Sequence, residues 1–202
     1  QHFPGGLTRL TTGAVFPQGS QSHAATETCP GHSTLLTGAH PSRTGIIANN
    51  WYDAKVGRVV YCSEDERDAA SSAKEPVVSN WHVKVPTLGD LMKKANRAAM
   101  NVAVSGKDRG AVMMSGHDAD AVYWWLGNGF ATYNGRPISA AARAQNAATR
   151  KLIEAGAPAF PAPQWCEKVA RAVPIKNFTI GTERFALRAG DFRSFGRTPR
   201  MD

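Results

Sequence analysis

Apolar and polar positions alternate along this chain in a way that sorts most of it into short elements. Thr87-Leu88-Gly89-Asp90 has the form of a capping box, and Leu88, Leu91 and Met92 then recur at helical spacing, predicting a helix that ends near Ala95. The apolar run Asn101-Val102-Ala103-Val104 predicts a buried strand. Ala121-Val122-Tyr123-Trp124-Trp125-Leu126, then Gly127-Asn128-Gly129, then Phe130-Ala131-Thr132-Tyr133 predicts a hairpin, whose aromatic side chains suit cover for the sheet edge better than a substrate pocket. An alanine-rich helix over 139–155 is stopped by Gly156.

Nearer the start, residues 5–12 read as the end of a helix, 14–16 as a short strand, 17–27 as a polar loop and 30–37 as a helix. A turn-rich stretch over 38–45 leads into the apolar pair Ile46-Ile47, and 59–61 reads as a strand. Residues 64–74 are charged and small, the composition of a mobile insertion. From 157 to 202 the pattern is mixed and broken by proline, and only a strand at 178–180 stands out. Helix followed by strand, repeated, predicts an α/β fold with a mainly parallel sheet covered on both faces. Ligands in such sheets bind beyond the carboxyl ends of the strands, which is where the loops at Thr28 and at Ser105-Gly106-Lys107 would lie.

The 202 residues suffice for a core and are most simply one domain. A formal charge of +8 favours anionic partners such as phosphate esters. The basic residues are scattered, with no run longer than Lys93-Lys94, so a specific nucleic-acid groove is the weaker inference. No apolar run reaches the roughly 18 to 20 residues of a membrane span. The chain opens on Gln1-His2-Phe3-Pro4 and closes at Thr198-Pro199-Arg200-Met201-Asp202 without a finished element, which suggests a piece of a longer chain. Cys29, Cys62 and Cys166 are far apart in sequence, and one disulfide with one thiol or three buried thiols are both open.

The chemistry concentrates at Thr28. Pro30 suits the first position of a helix, because its absent N–H is one that the first turn leaves unpaired anyway. Thr28 then lies at or just before a helix N-terminus, where free N–H groups and the positive end of the helix dipole favour an anion. A hydroxyl there can cap the helix or attack what the helix holds. His32, one turn on, reads as a packed or locally hydrogen-bonded histidine and not as a ligand.

The text around Thr28 carries a resemblance. Gly6-Leu7 with Arg9-Leu10, Gly13-Ala14-Val15-Phe16, Thr28-Cys29-Pro30-Gly31-His32, Thr37-Gly38-Ala39-His40-Pro41, Gly45 to Asp53, and Ser105-Gly106-Lys107-Asp108-Arg109-Gly110 resemble the alkaline phosphatase superfamily. Within it they resemble the bacterial alkaline phosphatases that use a threonine nucleophile and a Lys-x-Arg phosphate clamp, on a type I phosphodiesterase/nucleotide pyrophosphatase-like fold. The likeness spans residue 4 to the end and is dense over 13–53 and 104–125. It implies a partial alkaline phosphatase domain over 1–202, with 54–85 and 120–185 as insertions or cap-like elements. Thr44 stands where the wider superfamily has a histidine that is not a metal ligand.

What the resemblance implies is a metal-dependent phosphomonoesterase. Thr28 would bind metal through its oxygen, attack phosphorus and form a phosphothreonine, with two zinc ions about 3.5 to 4 Å apart activating nucleophile and leaving group. Asn49 would donate from its amide to a non-bridging oxygen, and Lys107 and Arg109, two apart in an extended loop, would clamp the others. Asn50, where relatives commonly have aspartate, is not given that role. The metal-ligand aspartates and histidines of the family match none of the six histidines and sixteen acidic residues here, so this chain alone is expected to hold no tight zinc and not to turn over. An incomplete sheet would expose apolar faces and favour self-association. The family also implies a periplasmic or secreted protein. The competing readings are a phosphodiesterase or nucleotide pyrophosphatase of the same superfamily, and a basic, non-enzymatic nucleic-acid-binding domain.

Overall fold

The computed structural model describes residues 5–156 and 163–180. Expectations that fall on 1–4, 157–162 and 181–202, including both chain ends and part of the 120–185 insertion, lie outside the described residues. The chain opens with helix α1 (Gly6–Thr11), close to the predicted 5–12. No strand follows at 14–16. Val15 and Phe16 are exposed there, and no strand among the described residues pairs with them, so the segment has no ladder to join.

Helix α2 (Thr28–Thr37) begins two residues before Pro30, because Glu27 already has the extended backbone of a helix entry, with φ −103° and ψ 172°. Pro30 therefore occupies the third helical position, where its missing N–H still costs no helical bond. Gly38, at φ +65°, ends α2 in the left-handed region that L side chains avoid. A short helix α3 (Pro41–Thr44) was not legible in the turn-rich stretch; Pro41 starts it and Gly45 closes it. Strands β1 (Asn50–Asp53) and β2 (Arg58–Tyr61) form an antiparallel hairpin in the register Asn50 to Tyr61. Asp53 Oδ1 accepts from the backbone N–H groups of Lys55 and Val56 and so builds the turn.

The segment expected to be a mobile insertion is instead tied down at Glu64. That carboxylate is fully buried and accepts from Arg58 Nη2 at 2.6 Å, Arg58 Nη1 at 3.3 Å, Ser71 Oγ at 2.7 Å and the Tyr61 N–H at 3.0 Å. Charge counted along the sequence suggested a solvated segment. The acceptor at its start, paired with an arginine six residues back, overrides that composition.

Helix α4 (Leu88–Ala95) carries the predicted capping box in full, with the Thr87 side chain accepting from the Asp90 N–H and Asp90 from the Thr87 N–H. Strand β3 (Val102–Ser105), helix α5 (Asp108–Ser115) and strand β4 (Ala121–Trp125) form a βαβ unit, with β3 and β4 parallel from Val102 opposite Ala121 to Ser105 opposite Trp124. Strand β5 (Phe130–Ala131) returns antiparallel beside β4 as the hairpin signal required. Helix α6 (Ala140–Ala155) is capped by Ser139, whose side chain accepts from the Ala142 N–H. Helix α7 (Gln164–Val169) and strand β6 (Val173–Ile175) were not predicted; strand β7 (Phe178–Ile180) was, and it pairs antiparallel with β6.

The fold class is thus α/β, but among the described residues β3 with β4 is the one parallel pair and the other ladders are antiparallel. The core gathers Cys29, Ile46, Cys62, Val112, Met113 and Trp124, so the aromatics of the hairpin do pack as sheet cover. One face stays open. Val102 and Val104 on β3, and Leu88, Leu91 and Met92 on α4, are each about half exposed, the open apolar face expected of an incomplete sheet. Among the described residues β3 also has a strand partner on one side only. Leu36, Leu88, Met92, Val102, Val104 and Met114 border a groove of about 320 Å³.

Burial pushes the Glu64 carboxyl up, but its bonds from Arg58, Ser71 and the Tyr61 N–H outweigh this and hold it below the ordinary carboxylate range. A depressed carboxyl stabilises the fold above its unfolded pKa and loses that contribution as pH falls through the folded one. Glu64→Gln should therefore lower the melting temperature at pH 7 by about 5 °C. It should also flatten the loss of stability below pH ~4. Thermal unfolding monitored by circular dichroism between pH 3 and 8 checks both.

Candidate active site

The first turn of α2 presents Thr28 at its opening position. Glu27, and not Thr28, is the N-cap residue, and no side chain caps this helix. The Thr28 hydroxyl makes none of the hydrogen bonds found among the described residues, so the capping role considered for it is not what the structure shows. Its carbonyl oxygen accepts from His32 Nδ1 at 2.8 Å, which makes His32 the locally bonded histidine that its position suggested. Gln21, Thr26, Glu27, Gly31 and His32 border an open cleft of about 370 Å³ beside Thr28.

Asn49 is locked against the same turn. Its side-chain Oδ1 accepts from the Cys29 N–H at 2.9 Å, and its own N–H donates to Glu27 Oε2 at 2.6 Å. A backbone N–H can only donate, so the partner fixes which end of the Asn49 amide faces the helix. The NH2 end is left pointing away from that bond with its donors free. Asn50, one residue on, is exposed and belongs to the β1 ladder.

Lys107 and Arg109 do not lie in an extended loop, as their spacing suggested. Lys107 has the extended backbone of a helix entry, φ −138° and ψ 145°, and is the N-cap of α5, whereas Arg109 is already in the first turn. The turn is tight because residue 110 is glycine: a Cβ there would lie 2.4 Å from Ser105 Oγ. Lys107 is exposed, and its ammonium makes none of the ion pairs found among the described residues. Arg109 is half-buried; its Nη1 donates to the Tyr61 oxygen at 3.4 Å, and its Nε is buried without a hydrogen-bond partner. A guanidinium with five donors thus keeps most of them for something else.

The stretch Tyr61-Cys62-Ser63 joins the two helix starts. Cys62 forms a disulfide with Cys29, the residue after Thr28, which settles the cysteine alternatives and leaves Cys166 as the free thiol. Tyr61 and Ser63, on either side of it, donate to Asp108 Oδ1 at 2.9 Å and Oδ2 at 3.2 Å. Cys62 also donates its N–H to the Asn49 carbonyl at 2.9 Å. Burial, and then the Asp108 charge, push the Tyr61 phenol above its ordinary value, so it remains a donor. Tyr61, Ser63 and Asp108 were not singled out from the sequence. Asp108 was visible only as the residue between Lys107 and Arg109, and nothing local signals a partner 47 positions earlier.

Thr28 and Asn49 therefore meet through the Cys29 N–H, and Arg109 is held to the same structure through Tyr61. Among the described residues no three His, Cys, Asp or Glu side chains converge in a way that could hold a metal ion. These residues do not by themselves form the two-zinc centre implied by the resemblance.

Residues 5–189 match the profile of the type I phosphodiesterase / nucleotide pyrophosphatase family. The whole chain is 50% identical to alkaline phosphatase PhoK of a Sphingomonas species, covering 37% of that protein. Over 99% of its length it is 45% identical to alkaline phosphatase PhoD of Zymomonas mobilis, covering 35% of it. The chain thus spans a little over a third of the length of these relatives. Among solved structures, 78% of the chain superposes on 34% of a variant of alkaline phosphatase PafA with a TM-score of 0.59 at 21% identity, which shows the shared fold. That variant is substituted at a threonine, an asparagine, a lysine and an arginine.

The Cys29–Cys62 cross-link closes a loop of 33 residues and should contribute roughly 3–4 kcal/mol through the entropy of the unfolded chain. Guanidinium unfolding with and without dithiothreitol checks this, and the Cys29→Ala/Cys62→Ala double variant should show no response to the reductant.

Proposed function

The chain belongs to the type I phosphodiesterase / nucleotide pyrophosphatase family, and from that premise we propose that its protein hydrolyses phosphate monoesters through a phosphothreonine at Thr28. The observation that carries the reading is the lock between Asn49 Oδ1 and the Cys29 N–H, which fixes the Asn49 amide against the helix turn that Thr28 opens. A phosphoryl group placed there meets backbone N–H groups, the positive end of the α2 dipole and the Asn49 amide together.

In the reaction proposed, the Thr28 oxygen attacks phosphorus in line with the ester oxygen. A P–O bond to threonine forms as the bond to the alcohol breaks, the hydroxyl proton passes to solvent water and the departing alkoxide takes a proton from solvent water. Water then hydrolyses the phosphothreonine, releasing inorganic phosphate and restoring the hydroxyl. Asn49 donates to one non-bridging oxygen, Arg109 offers a fork of donors and Lys107 a point charge. Two cations and an amide around three oxygens suit a monoester dianion, while a diester carries a substituent where one of them would press. The PafA variant supports the choice of residues: its substituted threonine and asparagine are 21 positions apart and its lysine and arginine two, the separations of Thr28 from Asn49 and Lys107 from Arg109.

Metal assistance is part of this reading, since a neutral alcohol is a poor nucleophile toward a phosphate dianion. Thr28 is the one residue assigned to face a metal. Zinc, the ion implied by the resemblance, would draw its other ligands from residues beyond those described. By the same reasoning the 202-residue chain alone is expected not to turn over. An oxidising compartment, periplasmic or extracellular, fits the Cys29–Cys62 disulfide. No helix of the described residues is long and apolar enough to cross a membrane. The open α4–β3 groove is the surface for the proposed self-association of the isolated chain.

A phosphodiesterase is the second reading, favoured by the family that the profile describes. Variants of the protein expressed from its full reading frame separate the two. Thr28→Ala should reduce hydrolysis of p-nitrophenyl phosphate on the order of 10³-fold or more. Arg109→Ala should cost about 10²-fold on that monoester and less than about tenfold on methyl p-nitrophenyl phosphate. Equal losses on both substrates would favour the diesterase.

A further inference from the structure

Arg109 can serve as a clamp only if its guanidinium is presented in a fixed direction, and one bond at 3.4 Å with a buried, unpartnered Nε does not secure that by itself. What fixes it lies one shell out. The Tyr61 oxygen accepts from Arg109 Nη1 while its proton is committed to Asp108 Oδ1 at 2.9 Å, so the phenol cannot rotate to present a proton to the arginine. Asp108 is in turn fixed by Ser63 Oγ on its other oxygen. The Arg109 guanidinium carbon also stands 5.9 Å from the centre of the Tyr61 ring, within reach of its negative face.

Building on the clamp role proposed above, we infer that Tyr61 and Asp108 are positioning residues for Arg109: Asp108 orients the phenol as an acceptor, and the phenol aims the guanidinium at the phosphoryl oxygens. Asp108 has an alternative use, since a carboxylate in the first turn of α5 stabilises the helix dipole whatever Arg109 does. The two roles differ in what they couple to. A dipole role changes stability and affects every substrate alike, whereas a positioning role acts only through Arg109 and only on the substrate that Arg109 favours.

The test is a double-mutant cycle in the protein expressed from its full reading frame, with kcat/KM measured on p-nitrophenyl phosphate and methyl p-nitrophenyl phosphate and melting temperature measured alongside. Tyr61→Phe keeps the ring and removes the hydroxyl; it should lower monoester kcat/KM about tenfold and diester kcat/KM less than about threefold. In an Arg109→Ala background the same substitution should change monoester kcat/KM by less than about twofold. Asp108→Asn should repeat that pattern, which gives a second variant should either fold poorly. If Arg109→Ala is strongly impaired but Tyr61→Phe and Asp108→Asn lower activity as much with Arg109 absent as present, or alike on both substrates, the positioning role is wrong and the clamp stands. If Arg109→Ala leaves monoester hydrolysis intact, the clamp reading fails and this inference with it.

Discussion

The constraint on which the site depends is the bond between Cys29 and Cys62. It fastens the opening turn of α2 to the end of the β1–β2 hairpin, and the residues flanking Cys62 fasten the opening turn of α5 through Asp108. Two helices separated by some 70 residues of chain thus begin at one tripeptide. Each begins with N–H groups that no helical carbonyl can satisfy, and each brings the positive end of its dipole. Such ends favour negative charge near them, and the Asp108 carboxylate in the first turn of α5 supplies one. The Cys29–Cys62 cross-link and the hydrogen bonds from Tyr61 and Ser63 to that carboxylate hold the two helix starts together.

The polar side chains of the site are held by partners that leave their working ends free. Asn49 spends its oxygen on Cys29 and its backbone N–H on Glu27, so its NH2 group remains. Arg109 spends one nitrogen on Tyr61 and keeps the rest. Thr28 spends its carbonyl on His32 and keeps its hydroxyl. Orientation fixed before a substrate arrives is what gives a charged group its leverage on a transition state, because no reorganisation is then required. The apolar groove beside α4 and β3 is a different kind of surface, and it shares no residue with the set proposed to face phosphate.

Much of this was legible in the sequence where the cause is local. The capping box at Thr87 and Asp90, the hairpin through Gly127-Asn128-Gly129 and the stop of α6 at Gly156 depend on residues within a turn of one another. Thr28 and Asn49 could be named because the surrounding text resembles a family, not because spacing alone joins them. Where side-chain contacts rather than pattern decide, the structure departs from the reading. Residues 64–74 read as a mobile insertion until Arg58 and Ser71 closed on Glu64, Lys107 and Arg109 read as an extended loop until Gly110 let α5 start against Ser105, and β3 read as buried although Val102 and Val104 are half exposed. Tyr61 and Asp108 carry no local mark, and only the folded chain brings them together.

Every role assigned above converges on the oxygen of Thr28 accepting a phosphoryl group. The direct measurement is peptide mass spectrometry of the protein expressed from its full reading frame, acid-quenched during turnover of p-nitrophenyl phosphate. A mass increase of one phosphate on the peptide carrying Thr28, absent from Thr28→Ala and from unreacted protein, is the predicted result. Steady turnover with that peptide unmodified at every quench time, and undiminished in Thr28→Ala, would contradict it.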